Sequence, residues 1–173
     1  MHAGGRAGEP ARFFRVFRKI HVYNERAKQM STPRPMRRNP TPEPLRSQLV
    51  EVRRGLLRLH KGLIDSERAE WERGRGPVTN AELLQALIED PFFAWLRPYS
   101  GLIVDIDEAL SGDEAVTEEQ GQAFVRQARA LIAVDEGDEP TVNRYDLVCR
   151  RDPNVLLLHV EMNSRLNDAD SGS

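Results

Sequence analysis

The sequence predicts an all-α fold: an irregular antiparallel bundle of about five to six helices with a long first helix. Three observations carry that expectation. Apolar residues recur three and four positions apart from Leu45 onward, the spacing of one helix face. Two capping boxes, Thr79 to Glu82 and Thr117 to Gln120, mark helix starts, because a hydroxyl and a carboxylate or amide satisfy free N–H groups reciprocally. Prolines fall at or near the ends of the periodic stretches, and Gly74, Gly76 and Gly112 mark helix stops.

The first helix is expected from Pro42 to about Arg73. Leu45, Leu49, Val52, Leu56, Leu59 and Leu63 form a heptad seam, and Val50, Leu57, Ile64 and Trp71 repeat beside it. So wide a stripe suits a core-facing helix better than a two-stranded coil. Thr41 is expected to cap this helix, and Gly74, Gly76 and Pro77 to end it. About 32 residues at 1.5 Å rise give a rod of roughly 48 Å. Part of it is therefore expected to project beyond the bundle or to pair with another subunit.

A second helix opens at Thr79 and runs through Leu83, Leu84, Leu87 and Ile88 until Pro91 interrupts it. Phe92, Phe93, Trp95 and Leu96 form an aromatic segment, bounded by Pro98 because the residue before proline disfavours helix. A third helix carries Tyr99, Leu102, Ile103, Ile106 and Leu110 and stops at Gly112; a fourth, behind Thr117, carries Phe124, Ala128, Leu131 and Ile132. The acidic stretch Asp135–Glu139 separates these from a short helix over about 141–151. Asp152-Pro153 then opens a last helix through Val155, Leu156, Leu158 and Met162. By composition the run Val155–Val160 also suits a strand; without a visible strand partner, helix is preferred. The chain thus divides into a basic, disordered extension and Pro-rich linker over 1–41, a helical domain over 42–164, and a disordered tail over 165–173.

Charge is divided sharply along the chain. Residues 1–40 hold ten Lys or Arg against two acids, whereas residues 41–173 hold fifteen against twenty-five. The first segment would be drawn to polyanions and to its own acidic body. Within it, Phe13, Val16, Phe17 and Ile20 fall at helical spacing among Arg12, Arg15, Arg18 and Lys19, a pattern open to membrane-surface, nucleic-acid or transit-peptide roles. It is equally open to being upstream sequence without a role, since Met30 is a plausible start. No apolar run reaches the length of a membrane span, and the lone Cys149 precludes an internal disulfide and fits a reducing compartment. A cytoplasmic protein is expected.

The stretches Arg53–Arg73 and Asp90-Pro-Phe-Phe-Ala-Trp-Leu-Arg-Pro-Tyr-Ser100, with Ile106-Asp-Glu108, resemble a family of uncharacterised bacterial helical proteins. The resemblance covers about residues 45–160, and the Asp-Pro-Phe-Phe-Ala-Trp-Leu-Arg-Pro string is its most distinctive part. It implies an all-helical bacterial protein. That family has no established activity, so no functional residue is carried over.

Few residues suggest chemistry. His60 sits among Leu56, Leu57, Leu63 and Ile64 on the apolar face of the first helix, with Arg53 and Glu67 seven residues away on either side. Buried charges of this kind require partners. His159 occupies a similar position near Val155, Leu156 and Met162, and Asp107 edges the third helix's stripe. His60, Glu67, Asp107 and His159 are therefore the candidate interior polar cluster, although the Glu-x-x-His pair of di-iron bundles is absent and core histidines with local hydrogen bonds explain them as well. Phe92, Phe93, Trp95 and Tyr99 fit either a ligand pocket or a plug over a bundle end. Glu67–Arg73 is expected to be a solvated, salt-bridged helix end. Cys149 lacks a neighbouring base, and no Gly-rich phosphate loop is present, so no cofactor or metal is expected. The leading expectation is a small protein–protein interaction module that binds another protein, or itself, through helix 42–73. The alternative is an enzyme or small-ligand or metal-binding bundle built on the interior histidines and acids. A third, nucleic-acid binding through the N-terminal arm, is disfavoured by the acidic body.

Overall fold

The computed structural model describes residues 40–134 and 143–171. The expectations for the basic extension and for the acidic stretch lie outside those residues. The described part is all-helical, with no strand: α1 (Glu43–Arg73), α2 (Asn80–Glu89), a 3-10 segment (Pro91–Leu96), α3 (Arg97–Ser111), α4 (Glu118–Ile132), α5 (Arg144–Arg151) and α6 (Pro153–Ser171).

Helix α1 is the axis of the bundle. Leu45, Leu49, Val52, Leu56, Leu59 and Leu63, the whole predicted seam, are buried, and Ile64 joins them. The stripe is wide because α3, α4 and α6 of the same chain all pack on it. This corrects the expectation that the helix projects or offers its seam to a second subunit: burial extends from Leu45 to Glu67, and Trp71 packs partly against the core near the far end. Helix α6 lies antiparallel to α1, since Glu51 meets Arg165, Arg58 meets Glu161 and Gly62 faces Leu158, at progressively earlier positions of α6. Two glycines seven residues apart permit the approach. A Cβ on Gly55 would lie 2.5 Å from Met162 Sδ, and one on Gly62 would lie 2.6 Å from Leu158 Cδ1.

Both capping boxes form, at Thr79 with Glu82 and at Thr117 with Gln120. Pro98 lies in the first turn of α3, where its missing N–H would have had no intrahelical acceptor, so the helix starts one residue before it. Thr41 does not cap α1. Its Oγ1 instead accepts a hydrogen bond from the Val116 N–H at 2.8 Å and ties the start of α1 to the α3–α4 connection. The last helix also departs from expectation, continuing through residues 165–171. Leu166 is completely buried, and its carbonyl accepts from Arg129 Nη2 at 2.7 Å, so docking against α4 holds a segment whose composition is a weak helix signal.

Candidate functional site

The candidate cluster is divided by helix geometry. Arg53, His60 and Glu67 share one face of α1, but seven residues at 1.5 Å each separate successive members by about 10.5 Å along the axis. They occupy three levels of the bundle, and each level has its own partners.

At the first level Arg53 Nη1 donates to Asp107 Oδ1 at 2.5 Å, joining α1 to α3 near the surface. Asp107 therefore belongs to a peripheral ion pair and meets neither histidine nor Glu67.

At the third level Glu67 is buried and fully engaged. Arg144 Nε and Nη2 reach Oε2 at 2.8 and 2.7 Å, Arg151 Nη2 donates to Oε1 at 2.8 Å, and Trp95 Nε1 donates to Oε2 at 3.3 Å. Arg144 and Arg151 are the first and last residues of α5, so one carboxylate fastens both ends of that helix onto α1. Two guanidiniums offset the cost of removing the carboxylate from water. Glu67 is thus not part of a solvated helix end, and the two arginines are residues that sequence reasoning missed. A signal for them existed: an acid on an apolar face demands a base, and Arg144 and Arg151 stand seven apart.

Between these levels lies an aromatic column. The His60 ring stacks on Tyr99 (centroids 6.4 Å apart, planes 12° apart), and Tyr99 stacks on Tyr145 at 6.2 Å. The Tyr145 hydroxyl and His159 Nδ1 lie 2.8 Å apart, and His159 Nε2 is 2.8 Å from Asn163 Nδ2. The two histidines share one column without touching. Both ring nitrogens of His159 are thus engaged, one by the Tyr145 hydroxyl and the other by the Asn163 amide. The Tyr145 hydroxyl also hydrogen-bonds the Cys149 thiol.

The electrostatics of the column favour neutrality. Burial lowers His60 to about 4 and pushes the Tyr99 and Tyr145 hydroxyls far above their usual value. Burial also lowers His159, with Asp146 acting in the opposite direction, and raises the Cys149 thiol. Neither Nδ1 nor Nε2 of His60 has a hydrogen-bond partner among the described residues. Tyr99 donates to the Leu131 carbonyl at 2.6 Å, satisfying the end of α4. Around near-neutral pH the His60, Tyr99, Tyr145 and Cys149 side chains of the column are therefore uncharged. Among the described residues no three His, Cys, Asp or Glu are grouped to hold a metal ion.

The aromatic segment fills space rather than enclosing it. Phe93 and Leu96 are buried, Phe93 contacts Phe92 and Trp71 with centroids 4.9 and 5.7 Å apart, and the Arg144 guanidinium sits 3.9 Å above the Phe92 ring. An open depression of about 420 Å³ lies elsewhere, lined by Glu108, Gly112, Asp113, Val116 and Gln120 among others.

The unexpected feature is on the outside of α6. Leu156, Leu157 and Val160 are 47%, 64% and 58% exposed, and Leu147 on α5 is 50% exposed. The cause is in the sequence: the apolar run Val155–Val160 turns through more than a full helical turn, so a helix burying Val155 must turn part of the run outward. No described helix is long and apolar enough to cross a membrane, so these side chains do not belong to a span. Compared with known protein families, curated proteins and solved structures, the chain matches none.

Proposed function

We propose that this chain is a small helical interaction module whose docking face is the outer surface of α6. The observation that carries this reading is the contiguity of Leu156, Leu157 and Val160, which stand three and four residues apart on one exposed face. Complete burial of a Leu or Val side chain is worth roughly 1.5–3 kcal/mol, so three half-exposed ones leave a few kcal/mol for a partner. The α1 seam, where self-association was expected, is occupied by the chain's own helices. The interior supports a structural role better than a catalytic one: its titratable groups are displaced away from neutrality and sealed, and Glu67 is consumed in holding α5.

The test is a photoreactive amino acid placed at Leu157 or at the exposed Gln127 of α4 in the cell that makes the protein. Illumination is expected to yield a discrete protein adduct from the Leu157 position and none from the Gln127 position. Equal labelling from both, or no adduct from Leu157, would overturn the proposal.

A further inference from the structure

We infer that the apolar outer face of α6 is covered by residues 12–20 of the same chain, and that a partner binds there by displacing them. This rests on the interaction reading above and names what the partner competes with. Three observations select this segment.

The first is that two apolar stripes are left over. Leu156, Leu157 and Val160 are three of the five large apolar side chains exposed among the described residues. Residues 12–20, outside the described part, carry Phe13, Val16, Phe17 and Ile20 at the i, i+3, i+4, i+7 spacing of a face that lies on another apolar surface. The α1 stripe is already covered by α3, α4 and α6, so among the described helices the outside of α6 is the apolar face that remains.

The second is reach. The 2.8 Å hydrogen bond between Thr41 and Val116 fixes where the arm leaves the bundle. From Glu43 to Gly62, the α1 residue that faces Leu158, the rise along α1 is about 28 Å. The 22 residues from His21 to Pro42 join Ile20 to α1, and a flexible tether of that length averages about 23–28 Å end to end. Pro33, Pro35, Pro40 and Pro42 can only lengthen that reach. A tether matched to its span gives its segment the highest effective concentration, on the order of mM.

The third is charge. Residues 1–40 are basic and residues 41–173 acidic, and the chain's small net charge of −2 is the sum of these opposed parts, which attract each other. Along α6 the exposed charges are Glu161 and Asp168, both acidic, while Arg165 is turned to Glu51. Glu161 also meets Arg58, at an exposed site open to a second base. A segment bearing Arg12, Arg15, Arg18 and Lys19 therefore finds no opposing base on α6. An intrinsic Kd near the effective concentration leaves the face covered in about half of the molecules, and a partner then displaces the segment at roughly a twofold loss of apparent affinity.

A photoreactive residue at Leu157 of the purified full chain tests this. Illumination should link that position to residues 12–20 within one chain, at a mass of 19.7 kDa and in a yield independent of protein concentration. Phe13→Ser with Phe17→Ser should cut the link about tenfold or more, and in the producing cell raise the partner adduct from Leu157 about twofold. The same double substitution should shift the methyl signals of Leu156 and Val160 and leave those of Leu49 in place. A link to any other part of the chain, a product of two chains' mass, or Leu156 and Val160 signals that ignore the double substitution would overturn the inference. If so, a discrete partner adduct from Leu157 in the cell still leaves the interaction reading standing. A link to residues 12–20 with no partner adduct, even from the doubly substituted chain, upholds the cover and refutes the interaction reading.

Discussion

His60→Leu should stabilise the protein and flatten its response to acid. The ring is buried, stacks on Tyr99, and has no hydrogen-bond partner on either nitrogen among the described residues. Burial lowers its pKa from 6.5 to about 4. The folded value lies below the unfolded one, so the unfolded chain binds the proton first as pH falls. Stability from this residue is complete above about pH 6.5 and is lost progressively between 6.5 and 4. At ~1.4 kcal/mol per pH unit over that interval, the loss is roughly 3 kcal/mol. Leucine has nearly the same volume, does not titrate, and removes the desolvation cost of unpaired polar atoms, about 1–3 kcal/mol. Against this stands the lost ring stacking, about 0.5–1.5 kcal/mol. The net gain near pH 7 should be about 1 kcal/mol, or roughly 2–4 °C in Tm for a domain of this size. Below pH 5 the gap between the two proteins should widen. Urea unfolding followed by circular dichroism at several pH values measures both effects. If His60→Leu is less stable near neutral pH and the acid slope of the unsubstituted protein matches that of the variant, the assignment of a sealed, unpaired imidazole is wrong.

Other perturbations have separate signatures. Glu67→Gln should cost about 1–2 kcal/mol in urea unfolding, because charge-assisted hydrogen bonds become neutral ones while the guanidiniums, about a third exposed, keep access to water, and α5 amides should lose hydrogen-exchange protection before those of α1. Gly55→Leu should destabilise by about 1–3 kcal/mol through overpacking against Met162 and Arg165, with the loss read as a lower urea midpoint. Thr41→Val should cost about 1 kcal/mol by leaving the Val116 N–H without its acceptor, measurable as faster exchange of that single amide. Leu157→Ser should leave the urea midpoint within about 0.5 kcal/mol of the original, since an exposed position contributes little to folding.

Where the physics is local, the sequence was legible. The heptad seam of α1, both capping boxes, the proline boundary at Pro91 and the helical state of Val155–Val160 all follow from spacing and terminal chemistry. What escaped was non-local. Thr41 is a good cap by type, yet the nearby Val116 N–H takes its oxygen. Asn163, Asn167 and Asp168 are poor helix formers, and the tail containing them becomes helical because Leu166 finds a buried seat. Of the polar candidates, His60 and Glu67 are buried and Asp107 and His159 partly so, but their grouping required knowing which level of the bundle each helix reaches. His60 and His159 are bridged by Tyr99 and Tyr145, which sequence spacing on separate helices cannot align. The docking face was overlooked because the strongest apolar pattern, on α1, is the one the fold consumes.

Methyl-labelled NMR of the full chain tests the central claim most directly. On titration with an extract of the producing cell, the methyl signals of Leu156, Leu157 and Val160 should broaden or move, while those of Leu49, Leu56 and Leu63 hold still. Movement of the α1 methyls instead, or a spectrum in which no α6 methyl responds, would contradict the account.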